Sequence, residues 1–197
     1  MEFTDDGIHI DKEPNALDEL ILDLVGVLDA VGIDYAVVSG YVAVLFGRSR
    51  ATEDIDVLVE RFDEATAMEI AERLQDAGYW GSAMPLDEMY DTLVDDLPIR
   101  VAEDGDIVPN LELKFPTDEY DRLSLEDTTT VWLADHSIRI GSLELQIAYK
   151  LGMGTKKDFE DAVHLYQVTE PTLNIDRLVE YVERLGVQDD YGRLRNV

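Results

Sequence analysis

Apolar positions recur along this chain in two periods, and the changes of period divide it into elements. Asn15-Ala16-Leu17-Asp18 opens like a capping box. Leu20, Ile21, Leu24, Val27 and Leu28 then repeat at helical spacing through Glu19–Ala30, until Gly32 ends the run. Tyr35–Val38 is an apolar run short enough for a buried strand. Gly40 breaks it, and Val42–Phe46 predicts a turn or two of helix closed by Gly47. Over Glu53–Val59 the period is two: Ile55, Val57 and Val59 face one way, Asp54 and Asp56 the other. Asp63 caps a helix running to about Asp76, with Gly78 as its stop. Residues 79–97 give the weakest pattern, with one helix over Leu86–Leu93.

Strands follow at Ile99–Ala102 and Leu111–Phe115, with Asp104-Gly105-Asp106 as the turn between them. Thr129–Ala134 and Ser137–Ile140 form a hairpin around Asp135-His136. From Ser142 the period is helical to the end: Leu143–Leu151, Lys157–Val168 with Phe159, Val163 and Tyr166 as its core stripe, and Ile175–Leu185. The pattern predicts a tail over 1–14, a mixed α/β core over 15–140 and a helical extension over 141–197.

Charge changes the picture of the surface. There are 44 acidic and 16 basic residues, a formal net charge of −28, spread along the chain at an ordinary apolar content. Disorder would need low hydrophobicity as well as high charge, so the expectation is a folded, evenly acidic protein of the kind a salt-accumulating halophile makes. The absence of cysteine excludes disulfides and thiolate zinc sites, and three scattered histidines (His9, His136, His164) lack metal-ligand spacing, which speaks against a zinc enzyme. The start carries neither a basic nor an apolar leader segment, and no apolar run is long enough to span a bilayer. The expected setting is the cytoplasm, with no membrane partner.

Asp-x-Asp alone says little in so acidic a chain: about three such triplets are expected by chance. Asp54 and Asp56 differ from Asp104 and Asp106 in context. They share one face of a strand whose other face is apolar, so their carboxylates stand roughly 6–7 Å apart on an anchored element. Hard oxygen donors so placed suit magnesium or manganese, which also bind phosphates. Without more, a solvated strand face explains them as well. The preceding Val38-Ser39-Gly40-Tyr41 joins a strand to a helix start, where backbone N–H groups can meet a phosphate.

The run from Ser39-Gly40-Tyr41 through Arg48-Ser49-Arg50-Ala51-Thr52-Glu53-Asp54-Ile55-Asp56 resembles the DNA polymerase β-like nucleotidyltransferase superfamily. Its signature is a Gly-Gly or Gly-Ser pair, a spacer, then Asp-hydrophobic-Asp/Glu-hydrophobic. Arg50, Thr52, Asp54 and Asp56 match the Arg-x-Thr-x-Asp-x-Asp form of its minimal, abortive-infection toxin-type branch. The chain departs from the pair, and two alignments are open: Ser39 stands for the first glycine, or Tyr41 for the serine.

The resemblance implies an α+β fold, a mixed sheet flanked by helices with a C-terminal helical extension. It also implies transfer of a nucleotide from a nucleoside triphosphate. Asp54 and Asp56 would be catalytic metal ligands for magnesium or manganese, and Ser39, Gly40, Arg50 and Thr52 would lie at the nucleotide. The superfamily has a third carboxylate on a later strand, and Glu112 in Leu111-Glu112-Leu113-Lys114-Phe115 is the candidate; an exposed Glu–Lys strand face is the bland alternative.

Of five lysines, Lys150, Lys156 and Lys157 fall close together. Leu143–Leu151 followed by Lys157-Asp158-Phe159-Glu160-Asp161 again resembles the toxin-type branch, where a Lys-Leu helix precedes Arg/Lys-Asp-x-x-Asp. By position, Lys150 would contact phosphate and Asp158 would orient that lysine or the metal site. The cap Thr155-x-x-Asp158 explains Asp158 equally well. Transfer RNA, a protein hydroxyl and a small molecule such as an aminoglycoside are all open as acceptors. A toxin role would bring an antitoxin partner. The alternative from another class is a catalytically silent nucleotide- or partner-binding module of the same fold.

Overall fold

The computed structural model describes residues 1–197. Its centre is β3 (Tyr35–Val38) and β4 (Asp54–Val59), where apolar residues alternate or run unbroken as a buried sheet requires. β4 lies antiparallel to β3 and parallel to β7 (Asn110–Lys114), with Val38 opposite Asp56 and Asp56 opposite Glu112. Beyond β7 come β6 (Ile99–Glu103) and β5 (Tyr79–Gly81). On the other side of β3 lie β9 (His136–Gly141), β8 (Thr128–Leu133), β2 (Gly7–Ile10) and β1 (Glu2–Thr4). The nine strands form one mixed sheet in the order β1-β2-β8-β9-β3-β4-β7-β6-β5.

α1 (Ala16–Val31) and α3 (Glu64–Asp76) pack together against the face that carries Ile55, Val57, Leu111 and Leu113. α1 starts on the capping box: the Asn15 side chain accepts from Leu17 and Asp18 N–H, and Asp18 accepts from Asn15 N–H at 2.8 Å. Gly32 ends it in the left-handed conformation. α5 (Glu119–Glu126) crosses the other face, against β3, β4 and β9. α6 (Leu143–Met153) packs with α7 (Lys156–Thr169) and α8 (Ile175–Leu185), and α9 (Gln188–Leu194) closes the chain against all three. One cluster of 47 buried residues runs from Ile8 to Leu194, so the helical region shares its core with the sheet. No helix is long and apolar enough to cross a membrane.

Several elements depart from the sequence pattern. Residues expected as a tail form the β1–β2 hairpin, which extends the sheet through β8; strands of three and four residues are too short to show a period. The short helix α2 (Gly40–Leu45) begins two residues earlier than Val42, directly on the turn at Ser39. The single helix expected over Leu86–Leu93 is a 3-10 turn (Leu86–Glu88) leading into α4 (Met89–Val94). In α7 the buried stripe is Asp161, Ala162, Leu165 and Thr169, not Phe159, Val163 and Tyr166, which lie half-buried. Those three still pack against the core, but the fully buried positions begin with a charged residue, so hydrophobicity alone centres the stripe too far round the helix.

Candidate active site

β3 ends at Val38, and Ser39 then turns the chain into α2 with φ 66° and ψ −132°. That backbone region favours glycine, so Ser39 stands at a position in the turn where glycine would be unstrained, with Gly40 directly after it. Gly40 is constrained differently: a Cβ there would meet Arg50 Nη2 at 2.8 Å and Thr52 Oγ1 at 3.3 Å. Gln146 on α6 secures the turn, its Oε1 accepting from Ser39 N–H at 3.1 Å and its Nε2 donating to Val37 C=O at 3.4 Å. The Ser39 N–H is thereby taken, a role for Gln146 that the sequence did not suggest.

β4 places Asp54, exposed at its first residue, and Asp56, half-buried, on one face. Thr52 Oγ1 donates to Asp54 Oδ1 at 3.1 Å, which orients that carboxylate. Glu112 lies in register with Asp56 on the parallel neighbour β7, and register partners in a parallel pair share a face. Burial pushes the Asp56 carboxyl above the usual range. The Ser39 hydroxyl pulls it down, Asp54 and Glu112 push it up again, and Lys114 opposes them. Glu112 accepts from Arg100 Nε at 3.1 Å. Asn110 stands in register with Asp54, and its Oδ1 is buried without a hydrogen-bond partner.

The cleft beside this face holds about 130 Å³ between the sheet and helices α5 and α6. Asp56, Ser39 and Lys114 form one wall, and Tyr120, Asp121, Tyr149 and Lys150 another. The Tyr120 and Tyr149 rings meet at 6.0 Å, and Lys114 donates to Asp121 at 3.2 Å. Lys150 is buried at the cleft, with Asp161 as its close partner at 3.1 Å and Asp158 at 3.9 Å. Asp158 lies in the first turn of α7, where it accepts from Thr155 Oγ1 at 2.5 Å while Thr155, the N-cap, accepts from the Asp158 N–H at 3.1 Å. Arg50 is mostly buried and is paired with Asp161 through Nη1. The structure thus gathers Ser39, Gly40, Arg50, Thr52, Asp54, Asp56, Glu112 and Lys150 around the end of the central strands where β3 stops and β4 starts, with Asp158 at the margin. The sequence reading passed over Asp161, although it stands three residues beyond Asp158 in the Lys-Asp-x-x-Asp run.

As to metal, no group of three His, Cys, Asp or Glu side chains converges as a closed cage would. Magnesium does not require one: it binds through one or two carboxylates, waters and substrate phosphates. Asp54 and Asp56 fit that use as same-face oxygen donors; burial does most to raise Asp56, and the further repulsion from Asp54 and Glu112 is what a cation would relieve. Glu112 fits as a third donor once its exposed pairing with Arg100 opens, since such pairs are worth about 0–1 kcal/mol.

Comparison with protein-family models and with curated proteins finds no match. Solved structures do match. An antigenic nucleotidyltransferase-like protein from Paracoccidioides brasiliensis aligns over 91% of this chain and 93% of its own, with TM-score 0.53 and 17% identity. ANT(2'')-Ia in complex with adenylyl-2''-tobramycin aligns over 86% and 97%, with TM-score 0.54 and 15% identity. The solution structure of the antibiotic-resistance factor ANT(2'')-Ia aligns over 90% and 94%, with TM-score 0.52 and 14% identity. At such identities the likeness is one of fold: the chain has the nucleotidyltransferase-like fold, a large mixed sheet flanked by helices.

Proposed function

We propose that this chain is a nucleotidyltransferase, moving a nucleoside monophosphate from a nucleoside triphosphate to a hydroxyl-bearing acceptor. The observation that carries the reading is Asp54 and Asp56 on one face of a core-anchored strand, with Glu112 in register beside Asp56 and the Ser39-Gly40 turn adjoining. In this account Asp54, Asp56 and Glu112 are the oxygen donors for magnesium or manganese. Such an ion, when bound, supplies positive charge to the triphosphate and favours loss of the acceptor's proton. Arg50 and Lys150 donate to triphosphate oxygens, and Thr52 keeps Asp54 oriented. The acceptor oxygen bonds to the α-phosphorus while its proton passes to Glu112. The bond from that phosphorus to the bridging oxygen breaks, and pyrophosphate leaves with the electron pair. Most of the rate then comes from positioning and fixed charge.

The toxin-type branch is proposed on Arg50, Thr52, Asp54, Asp56 and the Lys150–Asp158 segment. A transfer RNA acceptor and an antitoxin partner follow from that placement alone. ANT(2'')-Ia, whose complex contains an adenylylated tobramycin, brings in an aminoglycoside acceptor by fold. A silent binding module is the second reading, favoured by Glu112 being engaged by Arg100 and both Arg50 and Lys150 by Asp161. Incubation with each labelled triphosphate, magnesium and molar KCl, with bulk transfer RNA, with an aminoglycoside or with neither, separates them. Nucleotidyl transfer gives magnesium-dependent label in an acceptor and released pyrophosphate. Triphosphate binding without transfer in any mixture supports the silent module instead.

A further inference from the structure

Within residues 141–197, Asp161 is the one carboxylate with no exposed surface, and three cations meet on it. Its Oδ2 accepts from Lys150 Nζ at 3.1 Å and from Arg50 Nη1, and its Oδ1 accepts from Arg48 Nε at 3.4 Å. Burying ion pairs in this way is a poor means of stabilisation, because desolvation offsets the attraction and apolar packing serves as well or better. The arrangement does something packing cannot: it fixes where two cations point. Arg50 gives Nη1 to Asp161, which leaves Nη2 over the Ser39-Gly40 turn, 2.8 Å from where a Cβ on Gly40 would stand. Lys150, on a different helix, is held on the wall of the cleft that faces Ser39 and Asp56. Asp161 stands on α7, its arginine partners on the loop leading into β4 and Lys150 on α6, so no local structure would align them. Asp161 also stays ionised: burial pushes its carboxyl up, but Lys150 and Arg50 outweigh that and hold it below the usual range.

We infer that Asp161 is a positioning residue, holding Arg50 over the turn and Lys150 at the cleft so that their remaining N–H groups take up triphosphate oxygens. The inference rests on the nucleotidyl-transfer reading of the same site and adds a residue that does not itself touch substrate. It also predicts a sign. Asp161→Asn removes a negative charge near an anion site, so a carboxylate that only offsets charge would, when removed, let the anion bind more tightly. A carboxylate that aims Arg50 would, when removed, weaken binding.

The test is calorimetric titration of the full chain with inorganic tripolyphosphate in EDTA, which takes metal and base out of the measurement. Asp161→Asn is expected to weaken binding roughly tenfold or more, the loss of a charge-assisted contact. Asp161→Asn combined with Arg50→Gln should be little worse than Arg50→Gln alone, because one residue acts through the other. Tighter or unchanged binding by Asp161→Asn, or additive losses, would overturn the inference. Arg48→Gln decides the matter even if the Asp161 variants do not fold. Arg48 bonds outward to Glu160 at 2.7 Å, so its loss should leave binding within about twofold of the parent. A loss equal to that of Arg50→Gln would mean that the cluster acts only as bulk charge. A parent that binds neither tripolyphosphate nor magnesium–ATP would instead remove the nucleotidyl-transfer reading itself.

Discussion

At Ser39 the backbone holds φ 66° and ψ −132°, a region in which a side chain crowds its neighbouring peptide groups. Keeping a non-glycine residue there costs about 1–3 kcal/mol. What Ser39 brings in return is a hydroxyl beside Asp56, one of the influences that lower that carboxyl. Ser39→Gly should therefore stabilise the fold by about 1 kcal/mol after the freedom glycine adds to the unfolded chain. In a chain of this size that is a rise of roughly 2–4 °C in melting temperature. A melting temperature at or below the parent's would mean that the turn is not strained. Under the nucleotidyl-transfer proposal, Ser39 rather than Tyr41 stands for the first glycine of the resembled signature. Composition could not choose between Ser39 and Tyr41, because the choice depends on a backbone angle. The structure gives Tyr41 a different task, its hydroxyl donating to the fully buried Asp18 at 2.6 Å.

Among the elements, those with full periods and strong caps were legible. α1, α3 and α8 fall within a few residues of the pattern because each combines an apolar repeat with a side-chain cap, and β3 and β4 because their apolar run and alternation are unbroken. β1, β2, β5 and α9 were not, being short or carrying few apolar residues. α5 matters most for the site. It offers Tyr120 and Leu123 to the core and little else apolar, so the wall carrying Tyr120, Asp121 and Ser124 was missed. The carboxylates fared better, since Asp54, Asp56 and Glu112 each alternate with buried neighbours on strands. Their pairings depend on register, which no single strand reveals. Arg100 comes opposite Glu112 only because β6 pairs with β7 as it does. Asp161 closes the Lys-Asp-x-x-Asp run, but in so acidic a chain only its burial sets it apart from the aspartates around it.

For the whole molecule, the excess of carboxylates is the dominant electrostatic fact. Most of its ion pairs are exposed and worth little each, and they leave the net charge of −28 in place. Self-repulsion of that size is screened as the Debye length falls from about 10 Å at 0.1 M to about 3 Å at 1 M salt. Melting temperature should rise by several degrees between about 0.1 M and 2 M KCl, with most of the rise in the lower half of that range. A flat or falling melting temperature would remove the halophile proposal and leave the active-site account intact. That account is tested most directly by the contrast between two Asp-x-Asp pairs in the same chain. Asp56 lies half-buried on the shared face of β4 and β7, whereas Asp106 is exposed in the turn after β6. Because burial holds the folded pKa of Asp56 above its unfolded value, stability is lost as pH rises through that folded value. Asp56→Asn should thus fold, and without divalent cation melt no lower than the parent. The decisive measurement is calorimetric binding of nucleoside triphosphate in magnesium and high salt to the parent, Asp56→Asn and Asp106→Asn. The account predicts that Asp56→Asn loses magnesium-dependent binding while Asp106→Asn retains it; equal behaviour of the two variants would contradict it.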